Sequence, residues 1–175
     1  MDVPVSEGHP VAAPVRAVLL RDLAAFRREI EAYPDEGSLW ALPPGLPNSA
    51  GTLALHVAGN VQHFIGAILG GTGYVRDRAA EFSDRGVARA DLLRGLSAAE
   101  DAVRRTLDGR ALPEQYPGPA GGGGMTVGTD EWLVHLAGHL TYHLGQVDYH
   151  RRSVTGSATG VGAIATTELP SARTP

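Results

Sequence analysis

The chain has 175 residues and a mass of 18.3 kDa, enough for one domain that buries roughly two thirds of its unfolded surface. Its 15 basic and 19 acidic residues give a net charge of −4, so no excess positive field favours nucleic acid or anionic lipid as a partner. There is no cysteine, which excludes a disulfide frame, a thiolate nucleophile and a sulfur-ligated metal, and leaves His and carboxylates as the available metal ligands.

Residues 1–13 carry polar positions and prolines without helical period and are expected to form an N-terminal arm. Their start lacks the basic and apolar regions of a secretion signal. Every apolar stretch is interrupted by His, Asn, Gln or Gly before the roughly 18 residues that a membrane span needs. The expectation is a cytoplasmic protein with no membrane association. From Pro14, a favourable first-turn residue, Val15, Leu19, Leu23, Phe26 and Ile30 recur on one face, predicting a helix that Pro34 stops. Residues 34–48 hold Pro34, Pro43, Pro44 and Pro47 around Trp40 and read as a loop. Ser49 is a candidate N-cap for a second helix over 50–69, which Gly70-Gly71 ends. That helix has almost no charge, so it should be buried. Its Gly51, Gly59 and Gly66 lower helix propensity and predict the close approach of a neighbouring backbone.

Residues 71–87 form a charged connection, irregular or a single turn, expected to cross the end of the molecule and cover a pocket. Arg76, Arg78 and Glu81 there are candidates to bind a substrate carboxylate, with a solvated loop as the favoured reading. A third helix over Arg89–Leu107 directs Leu92, Leu93, Leu96, Ala99, Val103 and Leu107 inward. Its apolar period runs straight through Ser97-Ala98-Ala99-Glu100, which spells a capping box by chance. Residues 112–128 are rich in Pro and Gly but lack phosphate-loop grammar, so they predict a flexible connection without nucleotide binding. Thr129, ahead of Asp130 and Glu131, opens a fourth helix reaching about Arg152. Residues 154–175 turn to small and polar types and read as a tail. Four helices without a strand pattern predict an all-α fold, an antiparallel four-helix bundle over 14–153 with long connections and flexible termini. Those connections leave room for a crossover.

Four of the seven histidines fall in the fourth helix. His135, His139 and His143 advance by about 40° per step and form a ladder on one face. In the second helix His56, Asn60 and His63 make a polar seam on an apolar cylinder. Burying five imidazoles without partners would be costly. Three neutral imidazoles around one divalent cation satisfy their acceptor nitrogens together. No Asp or Glu lies on the inner stripe of the second or fourth helix, which weighs against metal-assisted hydrolysis by a carboxylate base.

His56-Val57-Ala58-Gly59-Asn60, followed downstream by His139-Leu140-Thr141-Tyr142-His143-Leu144-Gly145-Gln146, resembles the DinB-like (YfiT-like) superfamily of metal-binding four-helix bundles. Their mark is one His on helix two and a His-x3-His-x-Gly-Gln run on helix four. The resemblance implies that His56, His139 and His143 are the metal triad. Asn60 and Gln146 are candidates around it, Asn60 to bond a ligand histidine and Gln146 to orient a ligand or to make a helix–helix hydrogen bond. His63, His135 and His150 lie outside the family's pattern and are read as pocket residues around the triad, with exposure near the helix end as the alternative for His150. Zinc is the first expectation, with nickel, iron or manganese as alternatives. Some members of the family are thiol-dependent S-transferases or isomerases, so the resemblance further implies an S-transferase that brings a low-molecular-weight thiol to a small electrophile, the metal activating the sulfur. The alternative is a non-catalytic metal-binding bundle with a stress-related or sensing role. A homodimer is expected in either case.

Overall fold

The computed structural model of the chain describes residues 9–121 and 124–174. Residues 1–8 of the expected arm, and two glycines of the 112–128 connection, lie outside the described residues. Four long helices carry the fold: α1 (Ala12–Glu31), α3 (Ala50–Val61, continued by π-helical turns over Gln62–Leu69), α5 (Arg89–Thr106) and α6 (Thr129–Thr155). Two short helices interrupt the connections, α2 (Glu36–Trp40) and α4 (Arg78–Ser83). Among the described residues there is no strand, only isolated bridges, and the fold is all-α.

The apolar periods dictate the packing. Val15, Leu19, Leu23, Phe26 and Ile30 of α1 are buried as one stripe, and Leu92, Leu96, Ala99 and Val103 of α5 face them. Around the bundle the order is α1, α6, α3, α5, so helices consecutive in sequence are not always neighbours in space. Partner contacts show the directions. Asp22 and Glu29 of α1 meet Thr141 and Arg151 of α6, and Tyr33 just past α1 meets His150, so α1 and α6 run in the same direction. Gln62 and Gly66 meet Gly95 and Ala102, so α3 and α5 are parallel too. The two pairs oppose each other, since Leu53 lies beside His150 and Phe64 beside Trp132. The expected antiparallel arrangement is therefore corrected to an up-down-down-up bundle.

This topology explains the long 70–88 connection. Parallel neighbours must be joined by chain that travels back along the bundle. Rather than crossing an end, the segment runs down the outside of α3: Thr72 lies near Gly66, Glu81 near Gly59, and Val87 accepts the Trp40 Nε1–H at 3.2 Å.

Other local expectations change in detail. Ser49 caps α3 as predicted, its hydroxyl accepting from the Thr52 N–H at 3.1 Å. Residues 34–48 are not all loop, because Asp35 caps α2 by accepting from the Ser38 N–H at 2.7 Å. The glycines of α3 do admit close approach, but by side chains: a Cβ on Gly51 would come within 2.5 Å of the Trp40 ring. Thr129 does not cap α6. Its hydroxyl instead donates to the Pro113 carbonyl and its N–H to the Glu114 carbonyl, tying the helix start to the preceding segment. The second helix departs from α geometry at Gln62, where i→i+5 bonds such as Gly70 N–H to Ile65 C=O set in. Ala50–Leu69 also proves long and apolar enough to cross a membrane by length and composition alone, which the sequence reading denied. Of its most apolar stretch 67 % is buried in the bundle, the placing of a core helix. The tail packs back onto α1 and α6, with Arg28 donating to Val161 C=O at 2.9 Å and Arg151 to Thr159 C=O at 2.9 Å.

Candidate metal centre

Because α3 and α6 are antiparallel neighbours, His56 comes level with the two rungs His139 and His143, one turn apart on α6. The Nε2 atoms of His56 and His143 lie 3.2 and 3.1 Å from Nε2 of His139, and one ligand atom from each ring falls within 4.8 Å of the others. Hydrogen bonds on the far side of two rings set their tautomers. His56 Nδ1 is 3.0 Å from Glu81 Oε2, and His143 Nδ1 is 2.7 Å from Gln146 Oε1. Both partners present acceptors, so each Nδ1 carries the hydrogen and each Nε2 turns a lone pair inward.

His139 can satisfy at most one of those lone pairs by donating. Protonation is a poor remedy: burial, then the neighbouring His143, His56 and His135 rings and Arg76, push His139 down to about 3. Burial also lowers His143, against the opposing pull of its bond to Gln146. A divalent ion satisfies all three nitrogens at once, and nitrogens bound to one such ion at about 2.0–2.1 Å stand roughly 3.0–3.4 Å apart. The cluster fits a metal-binding protein on donor type, spacing and tautomer.

The carboxylate that orients His56 comes from α4. Burial alone would raise Glu81, but hydrogen bonds from Arg76 and His56 outweigh it and hold the group below the usual carboxylate range. Arg76 grips both oxygens, Nε to Oε1 at 2.6 Å and Nη2 to Oε2 at 2.7 Å. The Nη2 atom lies 3.3 Å from His56 Nδ1 because both donate to the same oxygen. Glu81 reaches this position only because residue 59 is glycine, where a Cβ would stand 2.1 Å from Glu81 Oε1. The expectation of a solvated Arg76 and Glu81 is thereby overturned. Their pairing restrains the connection against α3.

A cavity of about 460 Å³ opens beside the cluster, with His56 and His139 in its wall. His63 and His135 line it without joining the three converging nitrogens. His135 stacks on Trp132, with centroids 4.8 Å apart and planes at 10°. His63 falls just inside the π-helical turns, and burial followed by the Arg76 charge lowers its pKa. Asn60 is buried and lines the cavity, but among the described residues it makes no side-chain bond to a triad histidine. Gln146 orients His143 rather than facing a ligand. His150, read as a pocket residue or as exposed near the helix end, is buried away from the triad: its Nε2–H donates to Ala41 C=O at 2.9 Å and its Nδ1 accepts the Tyr33 hydroxyl at 2.7 Å.

A sequence model of the DinB superfamily matches residues 19–147, most of α1 through the greater part of α6. The chain belongs to the DinB superfamily. No curated protein and no solved structure matches it significantly. Within the DinB-superfamily match lie all three clustered histidines, Gly59, Glu81 and Gln146. The residues that sequence reasoning missed are Glu81 and Arg76. A signal for them existed in Gly59, one turn past His56 in a helix that glycine weakens, since a buried helical glycine marks something pressed against it.

Proposed function

We propose that this DinB-superfamily chain is a metal-dependent enzyme that joins a low-molecular-weight thiol to a small electrophile. The observation that carries the reading is the pair of inward-facing Nε2 lone pairs on His56 and His143, fixed by Glu81 and Gln146, converging on Nε2 of His139. Three protein ligands leave a coordination position for a cosubstrate, the arrangement of a catalytic rather than a structural metal. A zinc ion held there would bind the thiol sulfur and lower its pKa, supplying a thiolate at neutral pH.

The chain's own residues do the rest. Glu81 holds the His56 ring, Arg76 holds Glu81, and the cavity beside His139 gives the electrophile a place next to the three histidines. With no cysteine in the chain, the thiol has to arrive as a cosubstrate. Glu81 is already engaged by Arg76 and His56, so it is not a free base. That favours thiol transfer over hydrolysis.

Elemental analysis of the purified chain is expected to find about one divalent ion per chain, lost in His139→Ala. The zinc-loaded protein should accelerate conjugation of a model electrophile to at least one of several small thiols. If no thiol reacts faster than with the His143→Ala control while the metal remains bound, the non-catalytic metal-binding role replaces this reading.

A further inference from the structure

The cavity beside the histidine cluster has an unusual charge for this molecule. In a chain of net charge −4, its lining carries two guanidinium groups, Arg76 and Arg78, and among the described residues no carboxylate. The Arg76 charge is consumed by Glu81, which grips it through two bonds behind the wall. Arg78 has no carboxylate partner among the described residues. Its guanidinium lies over the Phe82 ring, 5.1 Å from the centroid, and that ring is 4.9 Å from His56. Stacking on one face leaves the N–H edge of an arginine free to fork onto a carboxylate. The remaining lining mixes polar Asn60 and His63 with flat rings: the Trp132–His135 stack continues towards His139, whose ring is 6.3 Å from His135 and inclined at 27°. A cavity of about 460 Å³ lies within the size range of small-molecule sites.

We infer that the cavity takes a small organic carboxylate with a flat, unsaturated body, its anionic end on Arg78 and its plane against the Trp132–His135 stack, so that the body lies beside His139. This names the substrate class of the proposed reaction and rests on that reading only for the chemistry, not for binding. A carboxylate that forks onto an otherwise unpaired arginine gains a charge-assisted bond which a neutral amide of equal shape does not. A saturated ring of equal size keeps the charge and loses the stacking.

The test is calorimetric titration of the purified chain with trans-cinnamate, its amide, and cyclohexanecarboxylate, run on metal-loaded protein and on the His139→Ala variant. Cinnamate should bind at least about tenfold more tightly than its amide, since a charge-assisted bond exceeds a tenfold step in affinity, and about two- to tenfold more tightly than cyclohexanecarboxylate, the step that a lost stacking face carries. In Arg78→Gln the advantage over the amide should disappear while the amide's own affinity and the metal content stay unchanged. Arg78→Lys should retain part of the advantage. Equal binding of cinnamate and amide to the wild type, an advantage that survives Arg78→Gln, or no saturable heat from cinnamate up to about 10 mM would overturn the inference. Discrimination that persists in the metal-free His139→Ala variant would uphold it even if no thiol transfer is found.

Discussion

At the scale of the residue, Glu81 and Gly59 act on the centre without touching the triad's inward nitrogens. Partners that orient a ligand histidine typically contribute 10–100-fold in metal affinity, so Glu81→Gln should weaken metal binding by about that factor in a chelator competition. Gly59→Ala is the sharper case. On propensity alone it should stabilise the helix by up to about 1 kcal/mol. A methyl 2.1 Å from Glu81 Oε1 must instead displace that carboxylate, so the expected outcome is a loss of metal affinity comparable to Glu81→Gln. An unchanged affinity would show that Glu81 does not position His56. The imidazoles also set a pH dependence in the metal-free protein. His63, His139 and His143 all have folded pKa values below the ordinary 6.5, so below that pH the unfolded chain binds protons that the folded chain does not. Stability should therefore decline as the pH falls from about 6.5 towards the His139 value of about 3. Glu81 adds to the decline once the pH drops through 4.5, its unfolded value. Urea midpoints measured from neutral to mildly acidic pH check this, and His139→Gln should flatten the slope.

At the scale of the element, the parallel pair α1 and α6 is joined by polar contacts as well as by its apolar stripe. Arg151 and Glu29 form an ion pair that is almost wholly buried, and Arg151 also donates to Asp148 at 3.2 Å. Beside it, Tyr33 and His150 bond each other, and the His150 Nε2–H reaches back to Ala41. Removing one partner of a buried pair strands the other charge, so Arg151→Met should cost about 3–5 kcal/mol in a denaturant titration. Replacing both, with Glu29→Leu added, should recover most of that loss, because the pair's desolvation cost disappears with its attraction. A single-variant loss below about 1 kcal/mol, the range of exposed pairs, would mean that water reaches the site.

At the scale of the whole molecule, the proposed centre ties α3 to α6 across 83 residues of sequence. An ion that binds only the folded chain stabilises it by RT ln(1 + [L]/Kd), about 4 kcal/mol at a thousandfold excess over Kd. For a chain of this size that corresponds to a rise in Tm of roughly 10 °C. Melting curves with and without a chelator should show it, and the His139→Ala curves should coincide.

The helices and the two-rung ladder of His139 and His143 were legible in the order of residues, because apolar period, caps and i, i+4 spacing act through neighbours along the chain. The link to His56 came from motif resemblance rather than from any local pattern. Topology was not legible: long connections permit several ways around a bundle, and only the mutual packing of four apolar stripes selects the one with parallel pairs. With that choice comes the lengthwise course of residues 70–88, and so the placing of Glu81 on His56. Nothing near Arg76 or Glu81 in sequence distinguishes a buried ion pair from a solvated one, since what pairs them with an imidazole is a helix wall twenty residues upstream. The same physics buried His150, whose partners Tyr33 and Ala41 lie more than a hundred residues away. Local order thus dictated which residues could serve as ligands, and tertiary packing decided which groups would hold them in place.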